Sequence, residues 1–189
     1  MSDSIVARLR GAAAVPLGRR LAAEVGVGAA VAGMILGAQV RVGWPVPFTF
    51  QTFFVLLSGA LLGRRWGPAA QLGYLLLGGV GVPVFAGGAL FGATFGYLVG
   101  FVAAAWLIGE ILSRSDDPGL ARGAAAMAAG SAVILLPGMA HLAWGVGLGP
   151  ARAFEVGLWP FLAGDGLKLA MALAVWRRFG RRARALFGR

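Results

Sequence analysis

The stretch PFLAGDGLKLAMALA, residues 160–174, places two opposite charges inside a segment that is otherwise apolar. Asp165 and Lys168 are three positions apart, so a helix puts them on one face. Each charge would cost roughly 2.5–3.5 kcal/mol if it faced lipid, so we expect both to face a bundle interior or a cavity. Gly164 and Gly166 flank the aspartate and leave room for a close approach to the backbone. The pair predicts a polar ligand site; the alternative is an ion pair that only holds helices together.

The composition of the whole chain is typical of an integral membrane protein. Its 189 residues are 59% hydrophobic and 13% charged, with a mean hydropathy of +0.81. A soluble domain would carry about 25% charged residues. The length suits one compact bundle. The chain has no cysteine, which excludes disulfides.

Six apolar stretches predict six transmembrane helices in a single all-α bundle. They lie near residues 21–40, 48–63, 67–84, 92–113, 121–146 and 157–176. A cleaved signal peptide is the alternative for the first stretch, but that stretch is longer than a typical apolar signal region. The predicted organisation is an N-terminal cytoplasmic segment at 1–20, a membrane domain at 21–176 and a basic cytoplasmic tail at 177–189.

The distribution of basic residues predicts the orientation of the bundle. With the N-terminus inside the cell, fourteen arginines are cytoplasmic, two are outside, and Lys168 in a span completes the 17 basic residues. This bias predicts that both termini are cytoplasmic. The net charge of +10 therefore needs no nucleic-acid partner, and the tail is expected to meet anionic headgroups of the bilayer. The fourteen are Arg8, Arg10, Arg19, Arg20, Arg64, Arg65, Arg114, Arg122, Arg177, Arg178, Arg181, Arg182, Arg184 and Arg189; the two are Arg41 and Arg152.

Polar residues also open the second predicted helix, in PVPFTFQT at residues 45–52. The two prolines favour an extended approach to this helix. Thr49 or Thr52 could act as its cap. Gln51 is a stronger candidate for a binding residue, because a buried amide needs partners.

The connection between the third and fourth predicted helices carries no charge and is rich in glycine. GGVGVPVFAGG, residues 78–88, ends with Gly87 and Gly88 and either folds over a cavity as a lid or forms a tight turn. GATFGYLVGF, residues 92–101, brings Thr94 and Tyr97 to the outer end of the next helix, where Tyr97 could alternatively be only an interfacial aromatic. These polar ends together predict a ligand pocket that opens outward.

The sequence offers little further indication of a catalytic or metal site. His141 follows Pro137, which is predicted to kink the fifth helix. A lone histidine lacks partners for a metal site, so we predict a structural role and no metal. The sequence has no Walker A, HExxH or G-x-S-x-G motif, and so predicts no ATPase of its own. The alternatives to a binding subunit are a small intramembrane enzyme, with Asp165 or His141 as acid–base, and a self-sufficient transporter for another small organic ion.

Taken in order and spacing, PVPFTFQTF, GGVGVPVFAGG, GATFGYLVGF and WPFLAGDGLKLAMA resemble the BioY family. These proteins are the biotin-binding S components of energy-coupling factor (ECF) transporters in bacterial or archaeal plasma membranes. One departure is that the family tends to show proline and glycine at the positions of Ala93 and Phe95, and Phe95 could narrow the pocket entrance.

The resemblance implies that the chain is not an enzyme and binds biotin from the outside, with no other cofactor. It implies as partners a transmembrane T component and two cytoplasmic ATP-binding-cassette ATPases. The family's G-D-x-x-K motif falls on Asp165 and Lys168. With the polar and glycine positions singled out above, the predicted substrate-binding residues are Asp165, Lys168, Gln51, Thr49, Tyr97, Thr94, Gly87 and Gly88.

Small residues four apart in the first predicted helix let another helix approach closely. They are Gly28 and Ala32, then Gly33 and Gly37. The S components use an A-x-x-x-A-like motif here for the T component, and Gly28 with Ala32 resembles it. The alternative is packing within the bundle.

Overall fold

The computed structural model describes residues 17–43 and 46–187. The helices are α1 (Leu17–Gln39), α2 (Gln51–Gly79), α3 (Phe95–Ser113), α4 (Leu120–Ala140), α5 (Pro150–Gly157) and α6 (Trp159–Phe187). A π-helical turn, His141–Gly145, continues α4 after Pro137. Two short antiparallel strands, β1 (Arg41–Val42) and β2 (Phe48–Thr49), follow α1. Arg8, Arg10, Pro45 and Arg189, which entered the predictions, lie outside the described residues.

Helix α2 is a hairpin of two antiparallel arms that reverses at Gly63. This glycine has φ +75°, a conformation that costs little only without a Cβ. The side chains of Gln51 and Tyr74 are hydrogen-bonded at 2.7 Å although they are 23 positions apart, whereas a straight helix would separate them by about 35 Å. Gln71 likewise donates to Ser58 at 2.8 Å. The arms occupy the second and third predicted spans, and each is shorter than the ~20 residues of a straight crossing.

Within the described residues, four helical stretches are long and apolar enough to cross a membrane, as expected for an all-α membrane protein. They are Leu17–Gln39, Phe95–Ser113, Leu120–Gly145 and Pro150–Phe187. These four stretches overlap the first, fourth, fifth and sixth predicted spans.

Several predicted boundaries are shifted. The third predicted span stops being helical at Gly79 instead of residue 84, because Gly81 has φ +96° and Pro83 follows it. Most of the predicted tail is a continuation of α6, which runs to Phe187. The short helix α5 was not predicted.

Helix α3 packs against both α2 and α4 because glycines face these neighbours. A Cβ on Gly100 would lie 2.7 Å from the carbonyl oxygen of Val133 in α4. On the other side, a Cβ on Gly59 of α2 would lie 2.7 Å from the carbonyl oxygen of Ala105. Close helix packing of this kind fixes the N-terminal end of α3 beside α2 and α4, where the candidate site lies.

Arginines gather at one end of the bundle. Arg19 at the start of α1 donates to the carbonyl oxygens of Ala185 and Leu186 at the end of α6, at 3.3 and 3.4 Å. Ion pairs at this end include Arg64–Glu110, Arg114–Glu110, Arg181–Asp117 and Arg184–Asp117. The hairpin turn of α2 and the ends of α1, α3 and α6 therefore share one basic face.

Candidate ligand-binding site

The two charges of α6 form a buried ion pair with a threonine of α2. The Nζ of Lys168 lies 2.8 Å from Oδ1 of Asp165 and 2.9 Å from the hydroxyl of Thr52. That hydroxyl donates to the same Oδ1 at 3.2 Å. Lys168 is 2% exposed and Asp165 5%. The prediction that both charges face the bundle interior is confirmed.

An aromatic ring covers the ammonium group. Nζ of Lys168 lies 3.8 Å from the centroid of the Phe48 ring, in the geometry of a cation–π interaction. Phe48 in turn stacks on Phe161 with centroids 6.0 Å apart. A Cβ on Gly164 would collide with the Phe48 ring, while one on Gly166 would meet open space. The group that approaches the backbone at Gly164 is therefore a side chain of the protein.

A narrow cavity of about 40 Å³ lies beside the ion pair. It brings together residues that the sequence places far apart, since Thr52 and Lys168 are 116 positions apart. Leu98, Phe101, Ile134 and Leu135 form part of its apolar wall. The predicted site residues that line it are Thr49, Gln51, Thr94, Tyr97, Asp165 and Lys168.

Two polar atoms of the cavity residues are buried without a hydrogen-bond partner among the described residues. They are Oδ2 of Asp165 and the hydroxyl oxygen of Thr94. Buried polar groups nearly always have partners, so such exceptions need an explanation. The carboxylate oxygen can accept a hydrogen bond, and the hydroxyl can donate or accept one. Together they offer recognition groups to a small polar ligand.

Gln51 belongs to a hydrogen-bonded chain that supports the cavity wall. Its Nε2 donates to the hydroxyl of Tyr74 at 2.7 Å, and that hydroxyl donates to the carbonyl oxygen of Val84 at 2.9 Å. The hydroxyl of Thr49 accepts the backbone N–H of Gln51 at 3.4 Å and donates to its Oε1 at 3.1 Å. Neither threonine is the N-cap of α2, which is Phe50 without a side-chain cap hydrogen bond. Thr49 accepts the N–H of the first helical residue instead, and Thr52 contacts the ion pair.

The uncharged segment between α2 and α3, residues 80–94, folds over the cavity. Val84 and Phe85 are buried, and Phe85 contacts the ring of Tyr74 edge-on at 5.3 Å. Ala86 lines the cavity, and its carbonyl oxygen accepts a hydrogen bond from Arg41 at 3.1 Å. The segment thus supplies part of the cavity wall, as a lid would, and its opening stays a prediction.

The two glycines predicted as binding residues do not line this cavity. Gly87 and Gly88 are exposed in the lid segment. Gly88 has φ +82°, a conformation that favours glycine, and closes a turn by donating its N–H to the carbonyl oxygen of Phe85. A Cβ on Gly87 would lie 2.6 Å from the hydroxyl of Thr94, so this glycine makes room for a cavity residue without being one.

Tyr97, His141 and Phe95, whose roles the sequence left open, have defined contacts. Tyr97 is 7% exposed and donates to the carbonyl oxygen of Gly157 at 2.5 Å, so it is more than an interfacial aromatic. His141 lies 3.2 Å through Nε2 from the carbonyl oxygen of Gly92. Its ring is edge-on to Phe95 with centroids 5.6 Å apart. Neither His141 nor Phe95 lines the cavity.

Sequence reasoning missed three aromatic residues of the site. Phe48 and Phe161 were inside quoted motifs, but nothing distinguishes them from the other ten phenylalanines of the chain. Tyr74 is one of only two tyrosines, and a phenol within an apolar helix was the available signal.

Comparison with known proteins gives concordant results. A model of the BioY family matches residues 12–185. The chain is 38% identical over 148 residues to the "Biotin transporter BioY" of Thermotoga maritima, covering 75% of this chain and 86% of the relative. It is also 38% identical over 145 residues to the "Biotin transporter BioY" of Rhizobium etli, and the match covers 70% of this chain and 77% of that relative. The fold is similar to a crystal structure titled "S-component for biotin from an ECF-type ABC transporter", with TM-score 0.79, 20% identity, and coverage of 91% of this chain and 95% of that one.

Proposed function

This chain belongs to the BioY family, and on that basis we propose that it is the biotin-binding membrane subunit of an ECF-type vitamin transporter. Its curated relatives are named biotin transporters, which favours uptake over the intramembrane-enzyme alternative. The observation that carries the proposal is the buried Asp165–Lys168 pair, whose free carboxylate oxygen belongs to a residue lining a cavity.

The chemistry of biotin suits this arrangement. Its ureido ring has two N–H donors and one carbonyl acceptor, and its valerate chain ends in a carboxylate. Oδ2 of Asp165 would accept a ureido N–H. Because the cavity of about 40 Å³ has room for little more than one water molecule, residues 80–94 would have to move outward before its apolar wall could receive the fused rings and the chain. The ammonium of Lys168 suits either the ureido carbonyl or the valerate carboxylate.

Titration of the detergent-purified chain with biotin tests the proposal. We expect saturable binding at one site per chain. Biotin methyl ester is the matched ligand, because it keeps the ureido ring and removes the terminal charge. Loss of affinity for the ester alone would assign Lys168 to the valerate, and equal affinities would assign it to the ureido carbonyl. No binding of biotin would reject the proposed function and favour another organic ion as cargo.

We propose further that the chain crosses the plasma membrane six times with both termini in the cytoplasm. The gathering of arginines at one end of the bundle supports this orientation. Since the chain has no cysteine, single substitutions report directly on sidedness. Ala151→Cys should react with an impermeant reagent applied to intact cells, and Ser115→Cys should react only after the cells are opened. The reverse pattern would invert the topology.

Concentrative uptake would come from a T component and two ATPases. The exposed positions Gly28 and Ala32 of α1 are the proposed docking face. Gly33 and Gly37, in contrast, are buried, and a Cβ on Gly33 would collide with Phe54. Internal packing therefore explains the second pair of small residues, while no atom outside the helix backbone lies within 4 Å of a Cβ on Gly28.

A bulky residue on this face should separate assembly from binding. Gly28→Leu and Ala32→Leu should retain biotin binding and lose both co-purification with the partner proteins and energised uptake. Gly33→Leu is the packing control and should lower the stability of the isolated chain. Normal assembly of both exposed variants would exclude this face as the docking surface.

A further inference from the structure

We propose that the arginine-rich end of the bundle contains a second binding site, for the phosphate group of an anionic ligand. A cavity of about 220 Å³ opens there, away from the candidate biotin site. It is enclosed by the start of α1, the hairpin turn of α2, and the ends of α3 and α6. This inference goes beyond the proposed function and does not depend on biotin binding.

Four arginines line the cavity, and its floor is apolar. The arginines are Arg19, Arg64, Arg65 and Arg184, and the apolar residues include Leu62, Leu112 and Phe187. Guanidinium groups present paired N–H donors whose geometry matches the oxygens of a phosphate. An apolar floor below a charged rim suits a lipid headgroup with its glycerol backbone better than it suits a fully solvated ion.

Two carboxylates at this end are each shared between two arginines. Glu110 is shared between Arg64 at 3.1 Å and Arg114 at 3.3 Å. Asp117 is shared in the same way between Arg181 and Arg184, at 3.7 and 3.8 Å. Each carboxylate thus leaves one positive charge in excess.

Arg65 is the clearest candidate for contact with the anion. Its guanidinium lies 5.1 Å from the centroid of the Trp66 ring, and no carboxylate within residues 17–43 and 46–187 pairs with it. Trp66 also lines the cavity, and tryptophan is enriched at membrane–water interfaces. Arg19 is different, because it already donates to two carbonyl oxygens of α6.

Native mass spectrometry of the detergent-purified full chain, titrated with phosphatidylglycerol, tests the site. Each basic residue near an anionic surface contributes about 1 kcal/mol, so Arg65→Gln should weaken binding by about fivefold. The matched control is Arg178→Gln, which removes the same charge from an exposed residue outside the cavity. Biotin affinity should be unchanged in both variants.

Comparison of different lipids, and competition with inorganic phosphate, distinguish the possible ligands. Phosphatidylcholine, which has no net charge, should bind more weakly than phosphatidylglycerol. If millimolar inorganic phosphate displaced phosphatidylglycerol, the phosphate site would stand and its ligand would be a soluble anion. Equal weakening by Arg65→Gln and Arg178→Gln, or equal binding of the two lipids, would overturn the proposal. If Arg65→Gln does not purify, Arg65→Lys keeps the charge but loses the paired donors and should still weaken binding relative to the control.

Discussion

Replacing Asp165 with asparagine removes one charge from the buried pair and leaves the shape of the side chain almost unchanged. An asparagine oxygen can still accept hydrogen bonds from Lys168 and Thr52 at the position of Oδ1. Its amide, a donor, would occupy the position of the unpaired Oδ2. A ligand N–H would then meet a donor in place of an acceptor.

The expected loss of biotin affinity follows from the charge of the hydrogen bond. Hydrogen bonds to charged groups contribute about 1.5–3 kcal/mol, which corresponds to roughly 10- to 150-fold in Kd. Breaking a buried ion pair costs about 3–5 kcal/mol of folding free energy. The contact of the ammonium with the Phe48 ring, at 3.8 Å, is common to the wild type and the variant and does not change this difference. Because the asparagine oxygen still accepts from Lys168, we expect a loss near the lower end of that range, about 3 kcal/mol in folding stability.

A double-mutant cycle separates the binding role from the structural role. Biotin titration and thermal unfolding would be measured in one detergent for the wild type, Asp165→Asn, Lys168→Met and the double variant. The double variant is neutral at this position, so its stability should recover while biotin binding stays weak. Glu155→Gln is the control, because its carboxylate pairs with Arg152 at 2.9 Å on the exposed surface. It should change neither quantity.

One result would refute the reasoning directly. If the double variant regained both its stability and its biotin affinity, the pair would serve only to hold α6 against α2. Unchanged affinity in Asp165→Asn itself would lead to the same conclusion.

Three further substitutions test the supporting structure. Gly164→Ala should displace the Phe48 ring from the ammonium and lower both biotin affinity and melting temperature, whereas Gly166→Ala, which faces open space, should match the wild type in both measurements. Gly63→Ala should lower the melting temperature, because alanine at positive φ costs roughly 1–2 kcal/mol; an unchanged melting temperature would show that the hairpin does not need this conformation. Tyr74→Phe leaves the amide of Gln51 and a carbonyl oxygen of the lid unpaired, at a cost of about 1–3 kcal/mol. Limited proteolysis of residues 80–94 should become faster in Tyr74→Phe, and wild-type protection would argue against this link.

The sequence predicted those parts of the site that contrast with their surroundings. Asp165 and Lys168 stand out because charges are rare within apolar helices, and the positions of the apolar stretches follow from hydropathy. Phe48 did not stand out, since an aromatic ring looks the same in a core as above an ammonium. Its role depends on β2 placing it beside Gly164 of α6, a contact that no local pattern contains.

The hairpin and α5 were harder to predict for different reasons. Residues 63–66 read GRRW, which marks a boundary but not the tight reversal that the backbone of Gly63 allows. Helix α5 is only eight residues long and begins at Pro150. A helix that short is marginal on its own, so its formation depends on the tertiary contacts of Ala153 and Gly157, both buried.

The spacing of the ion pair also has a consequence for biosynthesis. Because Asp165 and Lys168 are three residues apart on α6, this helix carries its own counter-ion. A lone charge near the middle of a helix costs about 2.5–3.5 kcal/mol at the insertion machinery, whereas paired charges on one helix can enter as a neutral unit. Helix α6 can therefore partition into the bilayer before it reaches α2. Thr52 and Phe48 then contact the pair when α6 docks against α2.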